Sequence, residues 1–600
     1  MIKEYKMQRG NLDKWININD CNNLLFFSQL VQELLFDYSI PSNRVSTLNS
    51  HFLVLDALSA INCIESSGVP EGTLKPIMEE LYYEIEKDIV FKSEEPLNFF
   101  VKNQNGKVVS HIQPRELNYL ELKKCASALN TIFFSNNEYY NQLKERIIKI
   151  IEDNKIEDQQ DLFKLTKSVL TELMNNGYSL KYIHHTMDRL FWNSKTNIED
   201  NSLIETFFDS FNFIKKEYTI IFKVKWIKMQ PFINHFEELE LVSELPGDLI
   251  SRASSTIKRL KNDEKYLVIK KKALDPFSAA NSAIGLIEDN TSVYRLYNHS
   301  YRYDIHTANY IVLDQENFYK KGKRISGVQH IKIPRDSQIK ESLDLAASAI
   351  SGIAESGHIN DFFTILSAVK YHSHSLDSRA EENQLLDFWA IFEAVLDVSN
   401  KHTSDRIQQI CDYLIPILKH NYIYSLFSQL ANDIKQYDRD WFNDYVNTNN
   451  EEEIVKLIAE FTLLEEKNSD RENFFQSCEG YPLLIERIQY YNKALSNTNL
   501  VHQYVEKHAK RVQWQIMRIY RNRNLIIHNA EKMPYLTLLI ENLHSYVDDF
   551  LNHVIHEFSN GRDISSMCQE LFVKECKWAA LFGRQKEQIT TNDIKEILQM

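Results

Sequence analysis

Two hydrophobic periodicities alternate along the chain. In roughly the first two hundred residues, apolar side chains recur every three or four positions, as at Leu143, Ile147, Ile150 and Ile151 or at Leu162, Leu165, Val169 and Leu173. That spacing places one apolar stripe on a helix. Gly177 stands where one helix should end and Ser179 where the next should be capped, so NNGYSLKYIHHTMDRLFW reads as helix, turn, helix. The pattern changes near Tyr218. YTIIFKVKWI, KYLVIKKKAL, VYRLYNH, YRYDI and NYIVLD are short, β-branched or aromatic, and partly alternating, which predicts strands. Between two of them, DPFSAANSAIGLIED predicts a helix whose small residues Ala279, Ala280, Ser282 and Ala283 permit close packing on a sheet. Helical periodicity returns from Ile339, and the polar stretch HSLDSRAEEN suits a boundary. After it come the amphipathic NQLLDFWAIFEAVLD, the long VEKHAKRVQWQIMRIYRNRNLIIHNAE and MPYLTLLIENLHSYVDDFLNHVIHEF.

These patterns predict a mainly α, multidomain protein. The expected plan is a helical region at 1–215, a mixed α/β region at 216–340, a helical connector at 341–375, a helical domain at 376–560, and a helical tail at 561–600 with Thr591 and Asp593 as capping candidates. The scarcity of Gly (14) and Pro (12) in 600 residues favours long helices over turn-rich β architecture. With 69 Lys plus Arg against 83 Asp plus Glu, the molecule as a whole repels polyanions, so contact with nucleic acid has to be local. The seven cysteines are scattered, with neither a CxxC pair nor a dense disulfide framework, which fits a reducing cytoplasm. Neither a targeting segment nor a membrane segment is expected.

Phosphate-loop, dinucleotide, nucleophile-elbow and HExxH signatures are missing, which removes the commonest enzyme classes. His184 with His185, His372 with His374, and His553 with His556 have no Cys or carboxylate partners at zinc-site spacing and read as surface or capping histidines, so no metal and no cofactor is expected. The segment RIYRNRNLIIHNAE differs. On a helix Asn524 and His528 lie one turn apart and about 40° from each other, so both can meet one ligand. Arg523 lies about 140° from His528 and shares that face only if its side chain wraps or a second subunit completes the site. Arg521 is nearly eclipsed with His528 but about 10 Å further along the axis. Upstream, Lys507, Arg511, Trp514, Arg518 and Arg521 recur at spacings that form a basic ridge with one aromatic, suited to phosphates and an unpaired base. Between Val505 and Ala530 stand six Lys or Arg and one Glu. The same ridge is also what a solvated helix face looks like when its arginines pair with nearby acids.

Arg523, Asn524 and His528 reproduce the arginine, polar residue, three further residues, histidine pattern of HEPN domains, and NQLLDFWAIFEAVLD with Glu393 resembles the opening helix of the Apea-like HEPN branch. The resemblance spans 376–560. It implies metal-independent RNA cleavage by a homodimer whose two motifs face each other: attack by a 2′-OH on the adjacent phosphate, with His528 transferring a proton, Arg523 holding the scissile phosphate, and Asn524 orienting either His528 or the phosphate. Whether Arg521 or Arg523 is the catalytic arginine stays open, as does a non-catalytic HEPN-type module that senses a ligand or partner. The N-terminal regions resemble bacterial proteins of the defence type. The 375 residues ahead of the HEPN-like block are therefore expected to act as a sensor or restraint, answering a phage-derived trigger.

Overall fold

The computed structural model describes residues 12–35, 46–67, 74–91, 101–104, 107–110, 119–193, 197–225, 238–245, 260–299, 310–314, 318–322, 347–348, 351–352, 359–378, 380–396, 403–420, 422–529, 533–562, 564–582 and 588–599. It is mainly α, as the periodicity predicts. The first part of the chain forms helices α1 (Asn22–Leu34), α2 (Ser50–Ser67) and α3 (Leu74–Lys87), a short antiparallel hairpin of β1 (Val101–Gln104) and β2 (Lys107–Ser110), then α4 (Tyr119–Phe133), α5 (Glu138–Asp153) and α6 (Gln159–Asn175). The stripes behave as expected: Leu143, Ile147 and Ile151 of α5 and Leu162, Leu165, Val169 and Leu173 of α6 are buried, while Ile150 sits at the edge of its stripe.

Leu173–Leu190 and Thr206–Gln329 belong to one compact unit. Gly177 takes φ 106°, a backbone conformation that glycine adopts without strain, and the Ser179 hydroxyl then caps α7 (Leu180–Met187) by accepting from the Tyr182 N–H at 3.1 Å. After α8 (Leu203–Asp209), strands β3 (Lys216–Lys225), β4 (Leu239–Val242), β5 (Glu264–Ala273), β6 (Tyr310–Leu313) and β7 (Phe318–Gly322) build an antiparallel sheet in the order β4-β5-β3-β6-β7, with α9 (Pro276–Tyr297) inserted between β5 and β6. The alternation of strand side chains sorts them by face. Tyr218, Ile220, Phe222 and Val224 pack with Leu267 and Ile269 against Ala279, Ala280, Ala283 and Ile287 of α9, and Ile221, Tyr266 and Ile311 point the other way. Ser282 is exposed and takes no part in that packing. VYRLYNH is not a strand; it ends α9. The helix is launched by Asp275, which accepts from Phe277 N and Ser278 N, and by Pro276 in its first turn, and it continues through residues of high strand propensity. YRYDI lies outside the described residues.

The described residues after the sheet form α10 (Ile359–Asp377), α11 (Glu381–Val395), α12 (Thr403–His420), α13 (Tyr422–Tyr437), α14 (Arg439–Val446), α15 (Glu451–Leu463), α16 (Asn468–Ser477), α17 (Pro482–Ala494), α18 (Thr498–Asn529), α19 (Leu536–Ser559), α20 (Ile564–Phe582) and α21 (Thr591–Gln599). Part of the expected connector at 341–375 lies outside the described residues. Helix α18 rises about 48 Å by its length. Its second half packs with α11, α12, α19 and α20, where Trp389 meets Tyr520 and Phe392 meets Phe550 edge to face. Its first half joins α13, α15 and α17 in a second core that also takes Trp578 of α20 and Ile594 and Ile597 of α21, so the tail is part of this core. The cap of α21 is Thr590, whose N–H and hydroxyl both donate to Asp593, one residue ahead of the expected Thr591.

The expected division between 1–215 and 376–560 does not coincide with compact units, because Glu4–Glu172, Phe191–Glu205 and His330–Met600 form one body. Polar groups on α1 show why. Gln29 donates to the Gly480 carbonyl at 2.9 Å and accepts from Leu483 N at 3.3 Å, and buried Glu33 pairs with buried Arg487, which also holds Asp433 at 2.6 Å. Burial pushes the Asp433 carboxyl up to about 7; Arg487 opposes the rise and Glu33 reinforces it.

Candidate functional site

The predicted chemistry converges on the last turns of α18, and the structure splits it between two faces. On one face Arg523 and Asn524 are both partly exposed, and Arg523 Nη1 donates to Asn524 Oδ1 at 3.1 Å. The second fork of the same guanidinium lies 3.5 Å from the Glu393 carboxylate, whose other oxygen accepts from Trp389 Nε1 at 2.9 Å. Trp389 is buried and rests against Tyr520 of α18, so α11 presents Glu393 from a fixed base. His528 follows one turn after Asn524, exposed in the final turn of the helix, and Ile527 beside it is 46% exposed. The structure thus gives Asn524 a different immediate partner from either expected one: it orients Arg523.

On the other face, two members of the expected basic ridge are not at the surface. Trp514 is 4% exposed and packs edge to face on Tyr83 of α3. Arg518 is 1% exposed, paired with Asp56 of α2 at 3.4 Å and with Glu80 of α3. Arg521 donates to Asp56 at 2.5 Å, and Tyr535 donates to the other oxygen of that carboxylate at 2.6 Å. Burial by itself would raise Asp56, but Arg521, Arg518 and the Tyr535 hydroxyl together hold it below the ordinary carboxylate value. Glu80 has only Arg518 to offset its burial and is pushed up to about 7, with Glu84 and Asp56 adding to the rise. A guanidinium removed from water has to be matched by acids, and these acids occupy the positions that phosphates were expected to take. Trp514, Arg518 and Arg521 are therefore corrected from an RNA-facing ridge to a packing interface with α2 and α3. Of the ridge, Lys507 and Arg511 remain exposed, Arg511 at 3.8 Å from Glu84. Lys507 borders a groove of about 560 Å³ shared with Tyr83, Lys510 and the acids Glu79 and Glu86, a lining of mixed charge.

No family model, curated protein or solved structure matches this chain. What the site can do follows from its own residues. A guanidinium held at the surface by a neutral amide on one side and a carboxylate at 3.5 Å on the other can exchange that carboxylate for a phosphate. The neighbouring imidazole is of a type that can move a proton near neutral pH.

One cluster escaped the sequence reading. His372 of α10 does not act with His374, which binds Asp387 at 2.6 Å; its Nε2 lies 2.9 Å from Asp548 of α19, and His544 Nε2 lies 3.5 Å from the other oxygen of that carboxylate. The signal available in the sequence was the spacing of four between His544 and Asp548, which puts both on one face of one helix. Among the described residues, no helix is long and apolar enough to cross a membrane.

Proposed function

We propose that the chain is a metal-independent RNA endonuclease of the HEPN type, working as a homodimer and restrained until triggered. The observation that carries this reading is the surface cluster of Arg523, Asn524 and Glu393, one helical turn before exposed His528. In the proposed reaction Arg523 leaves Glu393 and takes a non-bridging oxygen of the scissile phosphate, where its charge is worth most as negative charge gathers in the transition state. Asn524 keeps the guanidinium aimed. The adjacent 2′-OH attacks phosphorus as the bond to the 5′-oxygen breaks; His528 takes the 2′-OH proton, and His528 of the partner subunit gives a proton to the departing 5′-oxygen. A second copy supplies the facing motif and compensates for the angular gap between Arg523 and His528. The exposed Ile527 beside the motif supports burial of this surface against a partner.

The packing of α2 and α3 along α18 supports a restraint, since any displacement of those helices would unpair Arg518 and Arg521 a few residues from the motif. A phage-derived trigger acting on the N-terminal helices, in a defence role, fits that arrangement. The alternative, a non-catalytic HEPN-type module, draws on the same observation: arginines already engaged with Asp56, Glu80 and Glu393 need not cut anything.

Induced expression of the wild type, Arg523→Ala and His528→Ala, with total RNA resolved on gels and growth followed, separates the two. Wild type should fragment RNA and arrest growth, and each variant should lose cleavage at least about 100-fold while remaining folded, the scale of a lost proton-transfer or charge-stabilising group. Cleavage unchanged in either variant would overturn the assignment. Binding of RNA by wild type without cleavage under any inducing condition would favour the non-catalytic module.

A further inference from the structure

We infer that His372, His544 and Asp548 form a binding site for one divalent transition-metal ion of the zinc class, which clamps α10 to α19. One ligating atom from each of the three residues lies within 4.8 Å of the other two. Donors bound to one ion at about 2.0–2.1 Å in tetrahedral geometry stand about 3.3 Å apart. His372 Nε2 lies 2.9 Å from one Asp548 carboxylate oxygen and His544 Nε2 lies 3.5 Å from the other, separations close to that value. The third separation, between the two imidazole nitrogens, is no more than 4.8 Å.

The donor chemistry is selective. Two imidazoles with one carboxylate suit zinc, cobalt, nickel or iron, whereas magnesium and calcium prefer all-oxygen shells. The rings are also held in place before any ion arrives. Phe388 of α11 stacks on His544 with centroids 4.8 Å apart and an interplanar angle of 18°, and it meets His372 edge-on at 5.7 Å. The site is graded in depth: the His544 side chain is 7% exposed, while those of His372 and Asp548 are 22% and 24% exposed. An ion there has a way in from solvent and an outer position for water. With three protein ligands and one open position, the site resembles the ligand count of exchangeable rather than fully closed zinc sites.

The position gives the ion a consequence. His372 lies on α10 and the other two ligands on α19, and Phe388 belongs to α11, the helix that presents Glu393 to Arg523. A bound ion would tie α10 to α19 beneath Phe388, which stacks on one ligand and meets the other edge-on. The inference is independent of RNA cleavage, and its test does not read cleavage.

The test uses the full chain without a histidine tag, stripped with chelator and titrated with Co²⁺ under reducing conditions. A visible absorption band should saturate at one equivalent per chain and be displaced by Zn²⁺, with no accompanying thiolate charge-transfer band, because no cysteine belongs to the donor set. Zn²⁺ should raise the melting temperature of the wild type. His372→Gln and Asp548→Asn, checked for fold by circular dichroism, should each weaken Co²⁺ binding at least about tenfold and remove the thermal shift; two variants on different helices guard against a fold defect in either. No band, a thiolate signature, or binding that survives both substitutions would overturn the site and leave His372, Asp548 and His544 as a hydrogen-bonded cluster only.

Discussion

Arg521 donates to the Asp56 carboxylate at 2.5 Å across 465 positions of sequence, joining the helix that bears the candidate motif to an N-terminal helix. The same carboxylate receives Tyr535 and faces Arg518, so one acid holds two arginines and satisfies a buried hydroxyl. Asp56→Ala leaves Arg518 in the interior with Glu80 and the neutral amide of Gln515, and Glu80 is itself reluctant to ionise. We expect a loss of about 3–5 kcal/mol, the usual cost of breaking a buried pair from one side. Denaturant unfolding followed by tryptophan fluorescence measures it, and an unchanged midpoint would show that the network contributes nothing.

Placing the ridge arginines in that network changes what their substitution should do. Arg521→Ala should lower thermal stability and leave RNA affinity nearly unchanged, since its guanidinium is committed to Asp56. Lys507→Ala, on an exposed lysine, should leave stability unchanged. If Lys507 contacts phosphate, it should also reduce the slope of log affinity against log salt by about 1. Filter binding at several salt concentrations distinguishes the two; a larger affinity loss for Arg521→Ala than for Lys507→Ala would return Arg521 to the RNA-facing surface.

The buried group of Glu33, Asp433 and Arg487 predicts a pH dependence. Asp433 is raised from an ordinary 3.8 to about 7, so between those values the folded chain holds a proton that the unfolded chain has released. Its contribution to stability therefore falls as pH rises from about 4 to about 7 and is level above that. Asp433→Asn lacks this slope. The melting temperature of the variant minus that of the wild type should climb across the window, and a difference that is flat or falls with pH would refute the assignment.

Much of the secondary structure was legible because its causes are local. The stripe of Leu143, Ile147 and Ile151, the alternation through Ile220, Ile221 and Phe222, and the Gly177–Ser179 turn each depend on neighbours within a few residues. VYRLYNH was misread because its aromatic and β-branched composition favours a strand in isolation, whereas the helix nucleated at Asp275 and Pro276 runs on through it. The candidate site was legible only in part. Asn524 and His528 are linked by helical spacing and Arg523 only by the residue pattern it forms with them, and nothing near Arg518 in sequence says that its counter-ions are Asp56 and Glu80, more than four hundred positions away. An unusual feature did mark one of them: Asp56 is a lone acid in the apolar run HFLVLDALSAIN, a carboxylate that the core tolerates only with a buried partner. His372 met Asp548 for the same nonlocal reason.

If a second copy completes the site, the chain should run as a homodimer, through the surface around 510–555, at micromolar concentration in light scattering. Ile527→Glu should shift it toward monomer and reduce cleavage together, because the residue is exposed beside His528. A strictly monomeric chain with full activity would exclude the composite site.

If the substrate's own 2′-OH is the nucleophile, the ends of the cleaved RNA carry its mark. Active protein is incubated with a defined oligonucleotide in excess EDTA, at a temperature where circular dichroism shows the chelated chain still folded, and the products are weighed by mass spectrometry. A parallel substrate carries 2′-deoxyribose at the scissile position, which removes the nucleophile and leaves the phosphate charge in place. Cleavage in EDTA to a 2′,3′-cyclic phosphate or its opened product is expected, with none by His528→Ala and none of the deoxy substrate. Cleavage that stops in EDTA and returns with Mg²⁺, or efficient cutting at the deoxy position, would contradict a 2′-OH nucleophile.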